Sequence, residues 1–250
     1  MAKRTRAASK LKARNTPAAG GRADDAEEVV VRICNTLATA ISGGALKPGS
    51  KILDDVVADH FGVSRTVVRG ALDILQRDRL VERKRNRGAF VAEPSVTEAR
   101  QLFEARYALE RDILALVVER ADAEGLDRLE QLNEEEAHLP DNTDGGEARF
   151  GQAPQFHIEL AKLGKNDVLT EMLGKVLARV ALVNELYKVQ PRDNCGDHRN
   201  ILTAIRNRDL ENAQRLMEEH LADLEGRVRL TPNHGDLDSF VNVLKSYSAS

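Results

Sequence analysis

Three histidines and a set of arginines are the residues of this 250-residue chain whose types and spacing could do chemistry. His198 and His220 fall on two consecutive amphipathic segments, with a turn expected near Asn207-Arg208-Asp209. Each stands eleven residues from Asp209, one before it and one after. In an antiparallel helical hairpin, residues equidistant from the turn share one height, so these imidazoles can face each other. His157 follows Phe156 in a third amphipathic segment that carries Leu160 and Leu163. Three imidazoles converging in a helical bundle make a facial site for Zn²⁺ or a similar ion. Histidines hydrogen-bonded for purely structural reasons fit the same spacing, and spacing alone leaves both readings open. A zinc-dependent hydrolase is the alternative function, because such a site can activate water. No H-E-x-x-H pattern supplies a general base, so an enzyme is not expected.

The second constellation is basic. Arg65, Thr66 and Arg69 share one face of a segment whose opposite face carries Val68, Ala71, Leu72 and Leu75. A recognition helix needs that layout, because its N-terminal residues enter the major groove. Arginine can pair twice with guanine or hold a phosphate, and Ser64 can cap the helix or reach the backbone. Downstream, Arg83, Lys84, Arg85, Arg87 and Gly88 gather at a polar turn, where a basic wing can reach phosphates or the minor groove. Read as double-stranded DNA-binding residues, the set is Ser64, Arg65, Thr66, Arg69, Arg85, Arg87 and Gly88.

The elements that must position these residues follow from periodicity. Val29, Val30, Ile33, Leu37 and Ile41 recur at helical spacing until Gly43-Gly44. Lys51-Ile52-Leu53 reads as extended. Asp54 is expected to cap a second helix that Gly62 stops, and the third helix runs to about Arg77. Two short runs, 80–83 and 89–92, flank the basic turn as a β-hairpin. Beyond a linker at 93–95, helices are expected near 96–122, 124–137, 153–164, 167–189, 197–207 and 209–229. The fold class is therefore mainly all-α: an N-terminal winged helix-turn-helix at 26–92 and a C-terminal antiparallel helical bundle at 96–230. Residues 1–25 read as a disordered basic arm and 231–250 as a tail, in which Leu237, Phe240, Val241 and Leu244 could form a short amphipathic helix.

Composition agrees with a helical body. Hydrophobic residues at 42% suffice for a core, while aromatics at 4% and the absence of Trp disfavour a β-sandwich. Net charge is −3 but unevenly spread. Residues 64–91 carry eight Lys/Arg against three acids, and residues 92–250 carry nineteen against thirty. A basic front on an acidic body fits a polyanion-binding module joined to a module with another task. No apolar run of about 18 residues is present, so no membrane partner is expected. Cys34 and Cys195 fit no metal or redox spacing, which points to a reducing cytoplasm.

These motifs also carry a family resemblance. The runs Ile41–Gly49, Val57–Leu72 and Arg87–Val91 resemble, in order, the N-terminal domain of GntR-type transcriptional regulators. The resemblance implies that Arg65, Thr66 and Arg69 contact an operator, with Gly88 in the wing. Gly70 departs from it, since the family usually has Glu there. Asp55 departs too, at a position where some relatives carry a base-reading arginine. Arg106-Tyr-Ala-Leu-Glu110, Phe156-His157, Leu163–Asn166, His198 and Ala213–Leu221 are similar to the FCD-type effector domain of the FadR branch. That likeness implies a divalent metal, Zn²⁺ first with Ni²⁺ or Mn²⁺ as alternatives, on His157, His198 and His220. The aspartate expected four residues before the first histidine is replaced by Ala153, followed by Pro154. A metal-free pocket whose histidines bind the effector directly is the other outcome. The implied effector is a small carboxylate, with Arg106 as its clamp; a simple i,i+4 pair of Arg106 with Glu110 is the competing expectation. Arg179 and Asn184 are weaker pocket candidates, Tyr187 a core residue, and Glu159 and Asp197 stand nearby without a matching motif. The expected device is a homodimeric, ligand-responsive repressor on a palindromic site, cytoplasmic and nucleoid-associated.

Overall fold

In the computed structural model, which describes residues 21–137, 153–187 and 194–228, three short strands and nine helices are found among those residues. Helix α1 (Gly21–Ser42) begins inside the stretch expected to be a disordered arm. Its Ile33, Leu37 and Ile41 form one buried stripe. They pack on Val68, Ala71, Leu72 and Leu75 of α3 (Arg65–Arg77). Between them, α2 (Asp54–Phe61) ends at Gly62, whose φ of 65° is the left-handed conformation that glycine adopts without strain. The expected caps do not form. Asp54 is the first helical residue, behind Leu53 at the cap position, and the Ser64 hydroxyl makes no cap hydrogen bond.

Strands β1 (Lys51–Ile52), β2 (Val81–Lys84) and β3 (Gly88–Val91) form an antiparallel sheet in the order β1-β3-β2. Val81 faces Val91 and Lys84 faces Gly88 across the hairpin. The turn needs two positive φ angles, 59° at Asn86 and 96° at Gly88.

Ser95 caps α4 (Val96–Arg120) by accepting from the Glu98 amide at 3.2 Å. There follow α5 (Ala123–Ala137), α6 (Ala153–Leu163), α7 (Asp167–Leu186), α8 (Cys195–Arg206) and α9 (Leu210–Gly226). Asn166 and Asp209 cap α7 and α9 with their side-chain oxygens, which places the turn before α9 where it was expected. The shared core includes Leu114, Val117, Phe156, Leu160, Leu173, Ile201, Ile205, Met217 and Leu221. Pro154 occupies the second position of α6, where a missing N–H breaks no helical bond. The 1–20 part of the arm, the loop at 138–152 and the Leu237–Leu244 segment of the tail lie outside the described residues.

The two halves meet along α7. Leu182, fully buried, belongs to the hydrophobic cluster built by α1 and α3 rather than to the bundle core. Lys47 approaches Glu185 at 3.9 Å and Lys175 approaches Asp78 at 3.8 Å. Tyr187, expected as core, donates its hydroxyl to the Pro94 carbonyl at 3.1 Å, although its ring does pack on a small cluster with Phe103. No described helix is long and apolar enough to cross a membrane.

Candidate histidine centre and nucleic-acid interface

His157 on α6, His198 on α8 and His220 on α9 are all buried, at 2%, 1% and 3% exposure. Their ring centroids are 5.4, 5.3 and 4.8 Å apart, and one ligand atom from each lies within 4.8 Å of the others. The equidistance of His198 and His220 from their turn thus became contact. Phe156 sets the floor: its ring stacks on His198 at 3.7 Å with an interplanar angle of 1°.

Each imidazole is backed on its Nδ1 side by an oxygen acceptor. Glu110 Oε2 lies 2.5 Å from His157 Nδ1, Asn133 Oδ1 lies 3.1 Å from His198 Nδ1, and Asp197 Oδ2 lies 3.5 Å from His220 Nδ1. A carboxylate or amide oxygen only accepts, so the three Nδ1 atoms carry the protons and the three Nε2 atoms carry lone pairs. The lone pairs converge. His157 Nε2 and His220 Nε2 are 3.3 Å apart, and His198 Nε2 is buried with no hydrogen-bond partner. An orphaned buried acceptor beside two further imidazole nitrogens fits a divalent cation, with the Nδ1 acceptors orienting each ligand.

Burial holds all three histidines in the neutral, ligand-competent form. It pushes His220 down to about 2 and His198 well below the usual imidazole range, with His157 and Arg106 adding repulsion in both cases. Burial also lowers His157, against the opposing pull of Glu110. For Glu110, burial works toward protonation, but His157 and Arg106 outweigh it and hold the carboxyl at about 2. Because His157 is itself kept neutral, the cation that Glu110 faces at neutral pH is Arg106.

Arg106 forms the expected i,i+4 pair, its Nε 2.5 Å from Glu110 Oε1. It also does something the spacing did not indicate: Nη2 donates to His157 Nε2 at 2.8 Å. Two other residues escaped the sequence reading. Asn133 had a signal, since it continues the buried stripe of Leu126 and Leu129 on α5 as a polar residue. Glu110 was weighed only as a partner of Arg106. Glu159 turns outward to Lys162 and Gln155, and Arg179 pairs with Glu98 of α4. Asn184 sits half-buried near the end of α7. Ala153 opens α6, four residues before His157.

The basic face is exposed. Ser64, Arg65, Thr66 and Arg69 line the N-terminal half of α3, and Arg85, Arg87 and Gly88 form the solvent-facing tip of the hairpin. Carboxylates of α2 stand against both arginines of this face: Asp55 is 3.6 Å from Arg65 and Asp54 is 3.3 Å from Arg69. Arg83, read as part of the wing tip, instead binds back to α3. It donates to the Arg69 carbonyl and pairs with Asp73, each at 3.0 Å. Arg87 and Lys84 lie over the Phe90 ring.

A winged helix-turn-helix with an exposed basic face, joined to a helical bundle, defines a class of DNA-binding proteins. Residues 30–91 match the model for bacterial regulatory proteins of the gntR family, and residues 101–223 match the FCD domain. The Uxu operon regulator of Haemophilus influenzae is 29% identical over 219 residues, 79% of this chain and 80% of that protein. LutR of Bacillus subtilis, an HTH-type transcriptional regulator, is 31% identical over 154 residues, 54% of this chain and 68% of its own length. Among solved structures, Escherichia coli McbR/YncC superposes with a TM-score of 0.70 at 24% identity, covering 78% of this chain and 94% of that one, which speaks for the fold. The chain belongs to the GntR family of bacterial transcriptional regulators and carries an FCD domain. It is a DNA-binding regulator rather than an enzyme.

Proposed function

We propose that this regulator is a cytoplasmic, ligand-responsive repressor that binds a palindromic operator as a homodimer and senses a small carboxylate at a metal centre on His157, His198 and His220. The observation that carries the sensing half is the convergence of three buried Nε2 lone pairs, each fixed by an acceptor behind its Nδ1. When bound, Zn²⁺ or a similar ion would supply a Lewis-acidic position for a carboxylate oxygen. This chain's residues do the rest. The histidines would supply three neutral ligands, Phe156 packs behind His198, and Arg106, 2.8 Å from His157, is placed to pair with an anion that reaches the centre. With no aspartate at position 153, the centre has three neutral ligands, so an anionic effector would neutralise more of the metal's charge than in a site that already holds a carboxylate.

In the DNA-binding half, Arg65, Thr66 and Arg69 are the base-reading candidates, with Ser64, Arg85, Arg87 and Gly88 on the backbone or minor groove. Two copies would set two recognition helices in successive major grooves. The reading is tested by two measurements. Footprinting on the DNA upstream of its own gene should reveal a protected palindrome; no protection at low salt would overturn the operator. Elemental analysis of protein purified without chelator or added metal should find about one divalent ion per chain, absent from His198→Ala. Equal content in the two proteins would exclude the centre.

A further inference from the structure

We infer that Arg106 guards the histidine centre: its guanidinium occupies the His157 nitrogen that a metal needs, so loading the centre requires Arg106 to let go. The inference rests on the metal reading above and concerns how that site is regulated.

The geometry is specific. Arg106 is 4% exposed, and Glu110 anchors it through Nε at 2.5 Å. That anchor leaves Nη2 pointing at His157 Nε2, 2.8 Å away. An imidazole nitrogen has one in-plane lone pair, which serves one strong partner, an N–H or a cation. Glu110 takes the Nδ1 proton of the same ring, so Nε2 is the only lone pair His157 can offer. It is also the atom 3.3 Å from His220 Nε2, at the middle of the cluster. The guanidinium is a cation. A divalent ion entering here therefore meets a fixed positive charge as well as an occupied lone pair.

Release does not need the whole side chain to leave. The rigid, planar guanidinium can tilt as one unit against Glu110 and carry Nη2 off His157. Nη2 then lacks an acceptor in a buried site, which is costly. A carboxylate that reaches the centre would supply that acceptor in the paired geometry guanidinium prefers. Arg106 would thus hold the empty centre shut and become available to an anion only when the histidines are engaged.

The test is a Zn²⁺ titration, competed against a chromophoric chelator, of the full-length wild type, Arg106→Met and Arg106→Lys. Both variants keep an aliphatic stem but lack the planar fork that sets Nη2 on His157 while Nε stays on Glu110. Each is expected to bind Zn²⁺ roughly tenfold or more tightly than the wild type, the scale of one lost charge-assisted hydrogen bond. Wild type that binds Zn²⁺ as tightly as both variants, or more tightly, overturns the guard and leaves the metal centre standing. No Zn²⁺ binding by any of the three overturns the metal centre and the guard with it. A second readout uses the wild type alone, guarding against variants that fail to fold. In ¹⁵N-arginine-labelled protein, the slowed Nη rotation of Arg106 should be lost when Zn²⁺ is added. Nη signals unchanged at saturating Zn²⁺ would also overturn the guard.

Discussion

Asp54 and Asp55 stand against the two arginines of α3 that are proposed to read DNA. Each holds one of them across solvent, and each adds a negative charge where phosphates would come. Exposed pairs of this kind are worth little in folding but must be broken for binding. Asp55→Asn is therefore expected to raise affinity for an operator duplex roughly twofold to fivefold at low salt, with the gain shrinking as salt rises. Fluorescence anisotropy across a salt series would measure it; weaker binding would mean that the carboxylate positions Arg65 instead. The buried histidines make a second prediction, for metal-free protein in chelator. The folded state holds them neutral, with His220 pushed from 6.5 to about 2. Below pH 6.5 the unfolded chain takes up protons that the folded chain refuses, so stability falls as pH falls toward that lower value. Glu110, held at about 2 against an ordinary 4.5, adds to the loss once pH drops below 4.5. Calorimetry should find the melting midpoint level above pH 6.5 and declining through 4.5. A flat profile across that window would show that the imidazoles are protonated in the fold.

At the scale of the element, Gly70 is the oddity of α3. It lies in mid-helix, and a Cβ built there would meet nothing within 4 Å. Gly70→Ala should therefore stabilise the winged domain by about 1 kcal/mol, through helix propensity alone. Urea unfolding reads this directly, and a lower midpoint would reveal a steric role for the glycine. The elements themselves were mostly legible because apolar stripes report helices, as Ile33, Leu37 and Ile41 do for α1 and Val68, Ala71, Leu72 and Leu75 do for α3. The first turn of α1 was not, because Arg22, Asp24 and Asp25 carry no apolar period to read. The grouping of the three histidines was legible, for His198 and His220 through their symmetry about one turn. Its supports were harder: Glu110 and Asn133 come from α4 and α5, and only packing brings those helices against the histidines. Arg83 misled for a related reason. Strand alternation does not say which arginine of a basic run turns back to the neighbouring helix.

At the scale of the molecule, the helix that carries His157 and the DNA-binding half both pack on α7, and that sharing was invisible in the sequence. Leu182 reads as one more apolar position of a bundle helix, yet its side chain completes the core of the winged domain. The same helix packs on α6, where Ile158 beside His157 comes within 3.6 Å of the Cβ position at Gly174. A shift of α6 on loading the centre would therefore press on α7, and through it on α1 and α3. Coupling of this kind requires an element whose placement both sites bias, and α7 packs on α6 at one end of that path and on α1 at the other. Leu182→Ala tests it. The substitution removes a fully buried side chain and should cost about 2–5 kcal/mol, detected as earlier melting of the winged domain. Zn²⁺ should still stabilise the bundle of the variant, because the histidines lie away from the change. What should disappear is the effect of Zn²⁺ on DNA affinity expected of the wild type. If the variant's DNA affinity still responds to Zn²⁺ as strongly as the wild type's, the signal travels by another route, with the linker through Glu93 and Ser95 the next to be cut.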